Sequence, residues 1–217
     1  MTQLNAQDIA SFCDATHHRA MPWRWHDAAA AGPPQPVPMV QPFRSDRVII
    51  RGRSAGLSAA SYDVRIASDL TLGPQPQFTI ARALADRKLG EPAAIVLDKL
   101  HASLTNLLVN PPYALANTLE DFAMPLGVAG YVIDKSTHAR LFVGAFNTYL
   151  DPGWRGNLTL ELVNLSDREL VLKQGDPICQ IVFHFLSSDT DRGYSGKYQD
   201  QPKRPVGAIL ENQETGL

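Results

Sequence analysis

Residues 149–164 read Tyr-Leu-Asp-Pro-Gly-Trp-Arg-Gly-Asn-Leu-Thr-Leu-Glu-Leu-Val-Asn, a turn followed directly by a strand. Asp151-Pro152-Gly153-Trp154 is strong turn chemistry, because proline presets φ and glycine accepts the positive φ that such a turn demands. Beyond the turn, strict alternation places Leu158, Leu160 and Leu162 on one face and Thr159, Glu161 and Val163 on the other. The leucine row requires a core. A carboxylate in the opposite row stands either on a wet surface or in a site.

Working outward, short runs rich in β-branched and aliphatic residues recur, punctuated by Gly, Pro, Asn and Asp. They fall at 47–50, 62–66, 93–97, 141–143, 169–172 and 178–185. Many short strands with few long helices predict a mainly β chain, a distorted jelly roll or barrel built from antiparallel strands. A short helix opens the chain: Asn5 is placed to cap it, Asp8 occupies its third position, and Leu4 can staple onto Ile9. Ile9, Phe12 and Cys13 form its apolar stripe. A stretch at 28–38, rich in Ala and Pro, reads as an irregular, partly polyproline-like segment. It separates an N-terminal extension, 1–45, from a β body at 46–190, and a polar tail follows at 191–217.

Composition narrows the function. The chain has 217 residues, 44% of them hydrophobic, enough for one substantial core. A formal charge of −2 argues against a general nucleic-acid binder, so an anionic ligand must be met by local groups. Cys13 and Cys179 are too few for a disulfide framework and read as two buried thiols in a reducing compartment. The absence of a membrane-spanning apolar run and of a signal-peptide pattern predicts a cytoplasmic protein without membrane contact. Two isolated cysteines do not supply the His-x-Glu and Pro-Cys-x-x-Cys of a zinc-dependent deaminase, and the histidines show no metal-ligand spacing. Gly193-Tyr194-Ser195-Gly196-Lys197 imitates a P-loop without its strand and helix context.

Four blocks remain: Ser61-Tyr62-Asp63-Val64-Arg65; Asp134-Lys135-Ser136-Thr137-His138-Ala139-Arg140; Asp151-Pro152-Gly153-Trp154-Arg155-Gly156; and Gly196-Lys197-Tyr198-Gln199-Asp200-Gln201. Read chemically, Lys135, Ser136 and Thr137 offer a cation, two hydroxyls and turn N–H groups to phosphate oxygens, and Arg140 adds a planar fork. In this order the blocks resemble the dCTP deaminase branch of the trimeric dUTPase-like superfamily, from about Ala59 to Ala208. The resemblance implies a dUTPase-like β-clip fold and a homotrimer with sites between subunits. It also implies a deoxycytidine triphosphate substrate, and Mg2+ bound only through the triphosphate, with no zinc.

The resemblance also assigns roles. Ser136 and Arg140 correspond to residues that position substrate and the catalytic water. Lys135 stands where relatives have arginine, which exchanges a bidentate phosphate contact for a point charge. Asp151 matches the residue beneath the deoxyribose, with Trp154 the aromatic of the same turn. Glu161 matches the acid/base of the deaminases, where a plain dUTP diphosphatase has an apolar residue. Tyr194, Lys197, Tyr198 and Gln201 match a flexible tail that closes over the nucleotide. The loop between Arg140 and Asp151 is two residues shorter than in typical deaminases, and Asn147 and Tyr149 stand in it to read the base. For Asp63 and Arg65 the resemblance implies support for the site and subunit contacts, and a structural salt bridge is the equal alternative. Three readings stay open: dCTP deamination to dUTP and ammonia; dUTP hydrolysis, alone or following deamination, to dUMP and diphosphate; and a regulatory nucleotide-binding protein without turnover. The Trp23-Arg24-Trp25 extension reads as added packing or a decoration of the trimer edge.

Overall fold

A computed structural model of the chain describes residues 2–14, 21–22, 36–85, 91–146 and 148–210. Trp23, Arg24, Trp25, most of the 28–38 segment and Asn147 lie outside the described residues. The chain is mainly β, with two sheets facing one another across a shared core. The larger sheet runs Tyr149–Leu150, Val128–Asp134, Pro177–Phe185, Tyr62–Arg65, Arg53–Leu57 and Val48–Ile50, and Thr2–Gln3 pairs with the end of Pro177–Phe185. The second runs Val143–Ala145, Arg155–Asn164, Tyr113–Ala123 and Val40–Gln41. Every paired strand is antiparallel.

The alternation read from the opening segment holds. Leu158, Leu160 and Leu162 are buried in the core with Tyr62, Val64, Ile66, Ile181 and Phe183, drawn from both sheets. The helix α1, Ala6–Cys13, closes one side of this core. Asn5 accepts the Asp8 N–H at 3.0 Å while the Asp8 carboxylate accepts the Asn5 N–H at 3.3 Å, a capping box that satisfies two otherwise orphaned donors. Cys13 and Cys179 are buried and unpaired with each other; burial pushes the Cys13 thiol up to about 12 and the Cys179 thiol higher still.

Two strand expectations fail. In the run at 141–143, Leu141 and Phe142 form a turn, with Phe142 at a φ of +58°, and the strand begins only at Val143. The run at 93–97, read as a strand, is the first turn and a half of α3, Ala93–Val109, which packs antiparallel-fashion in a hairpin with α2, Pro76–Ala85. Five apolar residues fit either period, and the longer window decides. Val96, Lys99, Leu100, Ser103 and Leu107 recur at helical spacing and are the half-buried positions of α3. Neither helix buries a described residue fully, and α2 meets the β body through contacts such as Arg82 to Asp167 at 3.2 Å.

The two sheets are tied by a buried ion pair. Arg65 Nε donates to Glu120 Oε1 at 2.7 Å and the Arg65 N–H donates to Glu120 Oε2 at 2.9 Å, with the Glu120 side chain fully buried. Burial raises the Glu120 carboxyl, and the Arg65 contacts offset only part of that rise. Removing the guanidinium would strand this carboxylate in the core. Arg65→Met is therefore expected to lower unfolding free energy by about 3–5 kcal/mol, measured by urea denaturation at neutral pH.

Candidate active site

Asp151 to Trp154 fold as the sequence requires. The Trp154 N–H donates to the Asp151 carbonyl at 3.1 Å, Gly153 takes a φ of +80°, and its N–H donates to Met124 at 2.9 Å. The turn delivers the chain into the strand Arg155–Asn164, which pairs with Tyr113–Ala123 and is irregular between Asn157 and Thr159. Beyond that irregularity Thr159 and Glu161 face outward into a cleft of about 490 Å³. That volume lies within the range of small-molecule sites.

The cleft is lined by Asp151, Trp154, Thr159 and Glu161 from this segment, by Tyr113, Leu115, Thr148 and Tyr149 beside it, and by Tyr194, Tyr198 and Gln201 from the tail. Glu161 is half-buried and its carboxyl is raised by desolvation. Asp151 is raised for the same reason. A carboxylate whose charged form is penalised by burial is primed to carry a proton reversibly, as an acid/base group must. Tyr149 stacks edge-on against Tyr131, their ring centres 4.8 Å apart, and Tyr131 in turn meets His184. Among the described residues that line it, the cleft contains two carboxylates and no lysine or arginine.

The tail lies on its own chain. Trp154 Nε1 donates to the Tyr198 carbonyl at 2.7 Å, the Tyr194 N–H donates to Pro152 at 2.8 Å, and the Ile209 N–H donates to the Tyr198 hydroxyl at 3.0 Å. Gly156 forms a parallel bridge with Gln201, and Arg155 is paired with Asp200 at 2.9 Å. The tail thereby covers the strand edge that Val143–Ala145 does not reach. Lys197 is exposed and stands over the Tyr198 ring at 5.5 Å, outside the cleft lining.

The Lys135 to Arg140 block lies elsewhere. Ser136, Thr137 and Arg140 are exposed on α4, Ser136–Ala139, and its following turn, and none of them lines the cleft. Lys135, read from sequence as a phosphate contact, is buried: its ammonium meets Asp63 Oδ1 at 2.7 Å and Ser54 Oγ at 3.0 Å. Its charge is paired with Asp63 in this arrangement. Asp63 and Arg65 thus both form structural ion pairs, with Lys135 and Glu120 respectively.

The family model described as dCTP deaminase-like matches residues 42–186. The chain belongs to the dCTP deaminase-like family. A dCTP deaminase of Granulibacter bethesdensis is 33% identical over 187 residues, covering 83% of this chain and 94% of the relative. One from Paramagnetospirillum magneticum is 33% identical over 75% of this chain and 86% of its own length. One from Pyrococcus horikoshii is 34% identical over 63% of this chain and 89% of its own length.

Within this family member, sequence reasoning missed Thr148, Thr159, Tyr113 and residues 206–208 as cleft walls. Thr159 had a signal, since it shares the Glu161 face. Tyr113 and Leu115 had none, because they reach the cleft only through pairing of their strand, where Leu115 sits opposite Glu161. His138 was also passed over. It is buried beneath the exposed Ser136 to Arg140 segment, and neither ring nitrogen meets a partner in good hydrogen-bond geometry.

Burial, aided by the nearby Arg53 and Lys135 charges and opposed by the Ile178 main chain, lowers His138 to about 4 from 6.5. The unfolded chain therefore binds the proton more readily, so stability is fully present above about pH 6.5 and falls as pH drops toward 4. His138→Leu is expected to abolish a loss of about 2 kcal/mol that the natural chain suffers between pH 7.5 and 5, read from urea midpoints at both values. A second expectation concerns Gly156, whose φ is +134° and whose added Cβ would lie 2.4 Å from the Gln201 N. Gly156→Ala is expected to cost the docked tail about 1–3 kcal/mol and to accelerate tryptic cleavage after Lys197 and Lys203, followed by mass spectrometry.

Proposed function

We propose that this chain catalyses the hydrolytic deamination of dCTP to dUTP and ammonia without a zinc ion. The observation that carries it is Glu161, a half-buried carboxylate raised by desolvation, set in a cleft with Asp151 on a chain of this family. In the proposed reaction Glu161 accepts a proton from water as the oxygen bonds to C4 of cytosine, and delivers it to N3. It then serves the departing amine in the same way, so that the C4–N bond breaks, ammonia leaves and the C4 carbonyl forms. One water is consumed and no redox partner is needed. Asp151 accepts the 3′-hydroxyl and orients the sugar, because a half-buried acceptor left without a donor is penalised.

A triphosphate cannot be neutralised by a cleft lined with two carboxylates and no cation. This supports a homotrimer in which the exposed Ser136 and Arg140 of a neighbouring copy complete each site, Ser136 ordering the water and Arg140 forking to the nucleotide. Thr137 stands beside them for a phosphate oxygen. The exposed Lys197 is assigned to the phosphates and Tyr149, which lines the cleft, to the base; Asn147, which the resemblance also assigns to the base, lies outside the described residues. Magnesium fits here as the triphosphate's counterion, held by the nucleotide's own oxygens. No group of three His, Cys, Asp or Glu that could hold a metal occurs among the described residues. Among those residues no helix is long and apolar enough to cross a membrane, and a cytoplasmic setting suits a nucleotide-pool enzyme.

The test is to incubate the purified chain with dCTP, dUTP and Mg2+ and follow ammonia, diphosphate and nucleotides together. Ammonia and dUTP from dCTP are expected. Diphosphate from dUTP with no ammonia would replace this reading with a dUTP diphosphatase, diphosphate appearing after ammonia would make the enzyme bifunctional, and binding without turnover would make it regulatory. Glu161→Gln is expected to cut ammonia release by roughly two to four orders of magnitude while dCTP binding persists.

A further inference from the structure

We infer that Thr159 is a positioning residue that fixes the direction of the Gln201 side-chain amide, so that Gln201 presents only N–H donors to the nucleotide. This rests on the reading of the cleft as a deoxynucleotide site. Three hydrogen bonds define it. The Thr159 N–H donates to Gln201 Oε1 at 3.3 Å, the Thr159 hydroxyl lies 3.0 Å from the same oxygen, and the Val206 N–H lies 3.0 Å from the Thr159 hydroxyl oxygen.

Each direction in this chain is forced. A main-chain N–H can only donate, so the Gln201 atom facing Thr159 is its carbonyl oxygen and not its NH2. The Val206 N–H likewise can only donate, so the Thr159 oxygen accepts there and its own proton goes to Gln201 Oε1. The amide carbonyl of Gln201 is consumed twice, and its NH2 has no partner among the described residues although Gln201 lines the cleft. An amide held this way reads an acceptor, whether a phosphate oxygen or the O2 and N3 edge of a pyrimidine, and repels a donor.

The arrangement also joins the tail to the catalytic strand. Thr159 is buried, shares the Glu161 face, and through Val206 and Gln201 holds two points of the tail that flank the cleft. The Asn157 N–H completes the seam by donating to the Gln201 carbonyl at 3.0 Å. Gln201 therefore continues the strand's edge with its main chain at Asn157 and with its side chain at Thr159. A valine at 159 would keep the shape and lose both hydroxyl bonds, leaving the Gln201 amide held by the longer main-chain bond of 3.3 Å alone and its direction less firmly fixed.

The experiment measures dCTP and dCMP binding by calorimetry to the full chain and to Thr159→Val, Thr159→Ser, Gln201→Ala and the Thr159→Val/Gln201→Ala double variant, with ammonia release measured alongside. Thr159→Val is expected to weaken dCTP binding about tenfold, the scale of one lost hydrogen bond with its partner unsatisfied. Thr159→Ser is expected to restore it, and Thr159→Val is expected to add nothing once Gln201 is alanine. A loss shared by dCMP places the acceptor on the nucleoside or α-phosphate; a loss confined to dCTP places it on the outer phosphates. Wild-type affinity in Thr159→Val, or losses that add in the double variant, would overturn the inference. A wild type that binds dCTP but releases no ammonia sinks the deaminase reading alone, and one that binds no dCTP sinks both.

Discussion

The polar network at Asn157 lets the two longest-paired strands of the second sheet go out of step without stranding a buried group. Opposite Leu158 the partner strand carries Thr118, Leu119 and Glu120, and the ladder breaks between Asn157 and Thr159. The freed carbonyls of Thr118 and Glu120 accept from Asn157 Nδ2 at 2.7 and 3.0 Å. Thr118 Oγ1 donates to the Glu120 carbonyl at 2.7 Å and accepts the Leu158 N–H at 3.2 Å, and the Asn117 amide donates to the Asn157 side-chain oxygen. Unsatisfied, any of these would cost about 1–3 kcal/mol. Satisfied, they permit a bulge, and a bulge turns side chains.

Two consequences run in opposite directions from that bulge. Inward, it carries Glu120 into the space between the sheets, where Arg65 meets it and joins the sheets. Outward, it sets the phase in which Thr159 and Glu161 face the cleft while Leu160 and Leu162 keep the core and the buried Leu158 borders both. The acid/base candidate and the latch for the tail are therefore placed by the same irregularity that holds the fold together.

Charge is divided over the surface in a way one chain does not resolve. The cleft contains Asp151 and Glu161, while the exposed Arg140 stands on a separate segment and Lys135 is neutralised by Asp63. A cleft that desolvates carboxylates raises their affinity for protons, which suits proton transfer, yet the same cleft repels a triphosphate. The proposed trimer separates these demands: proton chemistry is local to one subunit and anion binding is supplied across the interface.

Much of this was legible locally. The Asp151 turn, the leucine row, the capping box at Asn5 and the isolation of Glu161 on the opposite face follow from neighbouring residues, because turns, caps and strand period are set over a few positions. The resemblance carried Asp151, Trp154, Tyr194, Tyr198 and Gln201 to positions that do line one cleft. Other features were decided only by tertiary structure. The 93–97 run became helix because seventeen residues, not five, set its period against α2. Lys135 was claimed by Asp63, Thr159 by Gln201, and His138 by burial. Each of these depends on pairing between segments distant in the chain, where a charge or hydroxyl takes whichever partner the fold brings within about 3 Å, and no local pattern encodes that choice.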